Sequence, residues 1–138
     1  MSVVNELIRA GENKGVSFGN YKLTAKSKVD GFELDGDIYK VKTFNEITKL
    51  EKNGLFVYES VPGTAVNNLT LTDKGMSFVA EGADTVQVTV GLAADTEYKV
   101  FINDLQADKM KTNLSGKLVM SLELSEGIAA DVRIEKIG

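Results

Sequence analysis

The stretch Lys117-Leu118-Val119-Met120-Ser121-Leu122-Glu123-Leu124 places an apolar residue at every second position. Successive side chains of a β-strand point to opposite faces. This period therefore buries Leu118, Met120, Leu122 and Leu124 on one side and leaves Lys117, Val119, Ser121 and Glu123 on the other. The same alternation recurs through the second half of the chain: Leu69 and Leu71; Met76, Phe78 and Ala80; Val86, Val88 and Val90; Tyr98, Val100 and Ile102; Val132 and Ile134. Turn residues such as Asp73-Lys74-Gly75, Asn103-Asp104 and Ser115-Gly116 separate these runs. Short alternating strands at regular spacing imply an all-β fold, a β-sandwich or barrel.

Working back toward the start, Asp35-Gly36-Asp37 sits between Phe32-Leu34 and Ile38-Val41. Asp-Gly between alternating apolars implies a hairpin, because a type I′ turn needs positive φ at both central residues. Val16-Phe18 and Tyr21-Leu23 read as strands around a Gly19-Asn20 turn or bulge, and Leu55 to Val61 as a strand ending at Pro62-Gly63. Phe44 to Lys52 reads as one helical turn or an irregular crossing. Residues Val3 to Lys14 predict a short α-helix, with Val3, Val4, Leu7 and Ile8 on one face, Ser2 as N-cap and Gly15 as stop. An isolated helix this short is marginal in water, so its stripe must dock on the chain's own sheet or on a neighbour. The organisation expected is 1-60 as N-terminal helix plus hairpins and 61-138 as the sandwich, or one compact unit.

With 138 residues and 43 % apolar content, the chain can bury a real core. Its net charge of −4 argues against a nucleic-acid partner, which needs a basic face. The charge falls wholly after residue 60: nine bases and nine acids precede that point, and seven bases face eleven acids beyond it. No apolar run suits a signal-peptide core or a membrane span, which predicts a cytoplasmic protein unless another route exports it. The glycosylation sequons at Asn68 and Asn113 then read as chance matches.

Leu92-Ala-Ala-Asp-Thr96-Glu-Tyr98 resembles the tyrosine corner of fibronectin type III domains, in which the tyrosine hydroxyl bonds back to the backbone, although Ala94 stands where that family favours proline. Met76 to Ile134 is similar to the small accessory sandwiches of bacterial polysaccharide-degrading enzymes: a tyrosine strand, an Asn103-Asp104 turn, a Ser115-Gly116 turn and two more strands. Over its whole length, including Tyr58-Glu-Ser-Val-Pro-Gly-Thr-Ala-Val-Asn-Asn68, the chain resembles short bacterial proteins labelled endosialidase-like. That last resemblance implies sialic-acid hydrolysis, which needs arginines to grip the sugar carboxylate bidentately. The chain has only Arg9 and Arg133, and they would serve only if the N-terminal segment met the last strand.

Absence of His and Cys excludes Ser-His and Cys-His catalysis and the usual zinc and transition-metal ligand sets. Asp30, Glu33, Asp35 and Asp37 crowd one turn with the oxygen ligands calcium prefers, but lack EF-hand spacing. Glu59, beside Tyr58, is the first carboxylate to weigh for glycoside hydrolysis. No phosphate-cradling glycine loop is present.

The reading that results is a non-enzymatic structural or protein-interaction sandwich that self-associates, without cofactor or metal. Its contact would be the Val3, Val4, Leu7, Ile8 face and one sandwich edge. The alternative is a carbohydrate-binding module using Tyr39 and Tyr58 as a platform for polysaccharide. A glycoside hydrolase stands third.

Overall fold

A computed structural model describes residues 3–12 and 15–137. They form two antiparallel sheets packed face to face as a β-sandwich, with strands numbered in chain order. The first sheet runs from edge to edge β1 (Ile8–Ala10), β2 (Val16–Phe18), β7 (Ala65–Thr72), β8 (Gly75–Glu81), β13 (Ala130–Lys136), β10 (Glu97–Ile102) and β11 (Leu105–Lys111). The second runs β12 (Lys117–Leu122), β9 (Val86–Gly91), β6 (Leu55–Val61), β5 (Ile47–Lys52), β4 (Asp37–Phe44) and β3 (Ser27–Leu34). Both sheets draw strands from either side of Pro62, and a single apolar core spans them.

The alternation read from the sequence sets the inner face. Val86, Val88, Val90, Leu118, Met120 and Leu122 bury from β9 and β12 against Met76, Phe78, Val132 and Ile134 from β8 and β13. At the centre the Tyr58 ring meets Phe18 and Phe78 edge-on, at 5.4 and 5.5 Å between centroids. Each such side chain, fully buried, stabilises the fold by roughly 1.5–3 kcal/mol. Asp35 and Gly36 have φ of 52° and 83°, the pair of positive values that a type I′ turn requires. Gly75 opens β8 where an added Cβ would strike the Ile134 carbonyl of β13, so only glycine lets those strands pair there.

Among the described residues the expected N-terminal helix is not formed. Among the described residues, Val4 donates its N–H to the Gly19 carbonyl, Leu7 closes a turn onto the Val4 carbonyl, and Ile8 begins β1 opposite Phe18. Leu7 has φ of 72°, which ends any helical path. Two extended stretches joined by a tight turn bring Val4 and Ile8 to one side as well as a helix does. The β-branched Val3, Val4 and Ile8 favour extended backbone, and β2 offers the ladder that an isolated short helix lacks. The expected N-cap Ser2 and the last expected helical residue, Lys14, lie outside the described residues.

Phe44 to Lys52 corrects in the same direction. β4 and β5 form a hairpin across Asn45-Glu46, with Phe44 opposite Ile47 and Thr43 opposite Thr48. The expected strand at Tyr21-Leu23 is instead a turn.

Candidate functional site

The four N-terminal apolars do not form an open face. Val4 and Ile8 are buried in the chain's own sandwich, and Val3 and Leu7 are half-buried. The surface nominated for association is therefore largely spent within the chain, which corrects that expectation.

The tyrosine platform also fails on geometry, because a sugar platform needs an exposed ring face. Tyr58 is fully buried and Tyr39 retains 8 % of its surface. Burial pushes the Tyr58 phenol up to about 12, against the lowering effect of its bonds to Thr64 and Ser60. Burial and then the nearby Asp37 and Asp35 carboxylates raise Tyr39 as well.

Tyr58 belongs to a buried network of hydroxyls that the sequence reading did not find. Its hydroxyl lies 2.9 Å from Thr64 Oγ1, which lies 2.8 Å from Ser60 Oγ. Thr48 Oγ1 donates to the Thr64 carbonyl at 2.9 Å and accepts the Thr64 N–H at 3.0 Å. A hydroxyl has one proton, so in the 2.8 Å bond between Thr43 and Thr48 the donor must be Thr43. Thr43 in turn accepts the Asn20 N–H at 2.9 Å. The network fastens β4, β5 and β6 to the segment after Pro62. Among the described residues no buried side-chain nitrogen or oxygen lacks a partner, so the network reads as structural.

The remaining candidates disperse. Arg9 on β1 and Arg133 on β13 are separated by four strand spacings, roughly 19 Å. Arg9 pairs with Glu6 at 3.4 Å, whereas Arg133 pairs with Glu135 at 2.6 Å and Asp104 at 3.3 Å and lies over Phe101. Glu59 is half-buried on the outer side of β6, opposite Lys49 and Thr89. Of the acidic turn, Asp37 accepts from the Asn53 amide at 2.9 Å and faces Lys52 at 3.5 Å, which together hold its carboxyl below the usual range. Among the described residues no three acids gather as a metal cage would need. Tyr98 does behave as a corner tyrosine, its hydroxyl accepting the Ala93 N–H five residues upstream at 3.2 Å.

Three surface features stand out. One open end of the sandwich carries a groove of about 770 Å³ lined by Leu55, Phe56, Leu71 and Leu92 with Lys52, Lys117 and Lys136. The Lys117 ammonium lies 4.8 Å above the Phe56 ring and covers it. On the outer face of the second sheet, Lys28, Lys42 and Lys49 stand directly opposite one another across β3, β4 and β5, with Lys40 beside them. The balanced charge count of residues 1–60 hid this clustering, because lysines far apart in sequence meet only across strands.

The third feature is the set of four sheet edges. β1 is only three residues long. β3 carries Lys28, Asp30 and Glu33 and a register shift between Val29 and Phe32, where Gly31 has φ of 73°. β11 carries Asp108, Lys109 and Lys111, and its pairing shifts between Val100 and Phe101. Shortness, charge and bulges are the means by which sheets discourage further pairing. β12 has none beyond Lys117: it pairs with β9 without a shift from Lys117 to Leu122, and Val119 is 43 % exposed.

No protein-family model, curated protein or solved structure matches the chain.

Proposed function

We propose that this protein is a non-catalytic structural or interaction β-sandwich that associates with copies of itself in the cytoplasm. The observation that carries the reading is the contrast among the edges: β1, β3 and β11 each have a feature that discourages pairing, and β12 is regular and open. An unprotected edge invites another strand. Without His the chain lacks the side chain most often used in acid–base catalysis, and without Cys it lacks a thiolate nucleophile. The test is mass in solution by light scattering over a tenfold range of concentration. A defined oligomer, or mass that grows with concentration, supports the reading, and a monomer throughout overturns it.

A second reading, a polysaccharide-binding module, has its support in the end groove, where Phe56 offers a ring face only once Lys117 is drawn off it, rather than in Tyr39 and Tyr58. Titration of a glycan panel against the wild type and Phe56→Ala tests it, and flat curves with every glycan count against it. The finer likeness of the sandwich to fibronectin type III domains rests on the Tyr98 corner.

A further inference from the structure

Independently of self-association, we infer that the open end of the sandwich binds an amphipathic organic anion, a carboxylate carried on an aliphatic chain. Lys52 and Lys136 meet its charge, and Leu55, Leu71 and Leu92 receive its chain.

Strand alternation puts the lysines there. On β5 the inward residue Leu50 is fully buried, and Lys52, two positions on, shares its face. On β13, Lys136 follows the buried Ile134 in the same way. The register agrees, since Lys52 lies opposite the buried Tyr39 and Lys136 opposite the buried Tyr98. Each sheet thus supplies one lysine at a position the pattern reserves for core, and both line the groove of about 770 Å³. On β7 the buried Leu69 is followed on its face by Leu71, which gives the same groove an apolar lining. A volume in the range of roughly 300–1,000 Å³, mostly apolar with a few placed polar groups, is that of a small-molecule site.

Lysine stems can cover apolar surface while their ammoniums stay in water. Here they leave it bare, with Leu55 72 % and Leu71 36 % exposed. The opposite end of the sandwich, beyond Glu81, is closed instead: Tyr21 and Leu124 are buried, and the Tyr21 hydroxyl lies 3.3 Å from Glu126.

Charge selects the occupant. Three lysines line the groove against one acid, Asp73, in a chain of net charge −4. Lys117 is engaged over Phe56, and Lys52 meets Asp37 at 3.5 Å from the β4 side. Lys136 forms no ion pair with a described residue. A cation would be repelled here, and a neutral ligand would leave the ammoniums unmatched, whereas a carboxylate complements them. With the Phe56 ring covered, the open apolar lining is leucine, which suits an aliphatic chain better than a stacked ring.

The probe is decanoate, followed in methyl NMR spectra of the full chain. A ligand this small binds weakly, so it is titrated into the millimolar range at low salt, below micelle formation. The Leu55, Leu71 and Leu92 methyls should shift together with one dissociation constant, while Leu105 and Ile128, exposed elsewhere on the sandwich, should not move. Decyltrimethylammonium, with an equal chain and opposite charge, and butyrate, with equal charge and a short chain, should each bind about tenfold more weakly or less. The double variant Lys52→Gln/Lys136→Gln should weaken decanoate about tenfold, with wild-type dispersion in its unliganded spectrum. Should that spectrum collapse, Lys136→Gln alone, at an exposed position, carries the charge test. Shifts at Leu105 and Ile128 with the same constant mean detergent-like binding and overturn the site. Equal binding of the cationic amphiphile, or lysine variants that keep wild-type affinity, overturn the anion assignment. Groove methyls that do not move at any concentration overturn the inference whole and leave self-association untouched.

Discussion

Replacing Thr48 by valine should be among the most damaging near-isosteric changes available in this fold. The shape of the side chain is almost kept, so the cost is that of the hydroxyl. Thr48 Oγ1 donates to the Thr64 carbonyl and accepts from the Thr64 N–H and the Thr43 hydroxyl, which uses its one proton and both lone pairs. All three residues are fully buried. Removal leaves one backbone donor, one backbone acceptor and one hydroxyl without their partner. A buried polar group left unsatisfied costs about 1–3 kcal/mol. The Thr43 hydroxyl can rotate to relieve part of its loss, and we predict a net destabilisation of about 3–5 kcal/mol. Urea unfolding monitored by far-UV circular dichroism measures it, with exposed Thr85→Val as the control expected within about 0.5 kcal/mol of wild type. A Thr48→Val loss below about 1 kcal/mol would refute the assignment of this network as the fastening between β4, β5 and the segment after Pro62.

Three other predictions follow from single contacts. Tyr58 has a phenol raised to about 12 in the folded state, against about 10 when unfolded; the native chain keeps its proton longer, so this contribution of about 2–3 kcal/mol is complete below pH 10 and is lost as pH rises through 12, and Tyr58→Phe should flatten that part of a stability–pH curve. Tyr98→Phe leaves the Ala93 N–H without its acceptor and should cost about 1 kcal/mol in the same urea assay. Lys42→Thr removes the middle of three lysines aligned across β3, β4 and β5; it should raise stability by about 0.5–1 kcal/mol at low ionic strength, with a gain that shrinks as salt screens the row.

How much of this could be read from the chain depended on what each strand faces. β8, β9, β10, β12 and β13 show clean alternation, because each has one face in the core and the other toward water, and their inward residues are the ones the pattern names. β4 and β5 were harder because their inward positions include Thr43 and Thr48, whose polarity breaks the apolar count while their hydroxyls are satisfied inside. β11 carries no signal in the sequence. Its Leu-Gln-Ala-Asp-Lys-Met-Lys run is nearly all exposed and has no period to detect. The N-terminal error came from spacing alone, since Val4, Leu7 and Ile8 suit a helix face and also a turn that folds two extended segments onto Phe18. Position on a strand makes Tyr58 a candidate platform, and only its packing against Phe18 and Phe78 reveals that it is core. Edge status was invisible for a different reason. Lys117 to Leu122 reads the same whether one neighbour pairs with it or two, and the open side exists only once the order of the sheet is known.

Amide exchange at β12 addresses the central claim most directly. In a paired edge, the Val119 and Ser121 amides should exchange slowly at high protein concentration and quickly on dilution, whereas the Leu118, Met120 and Leu122 amides, which face β9, should be protected throughout. Fast exchange at Val119 and Ser121 under conditions where the mass shows an oligomer would contradict the account and place the contact elsewhere on the sandwich.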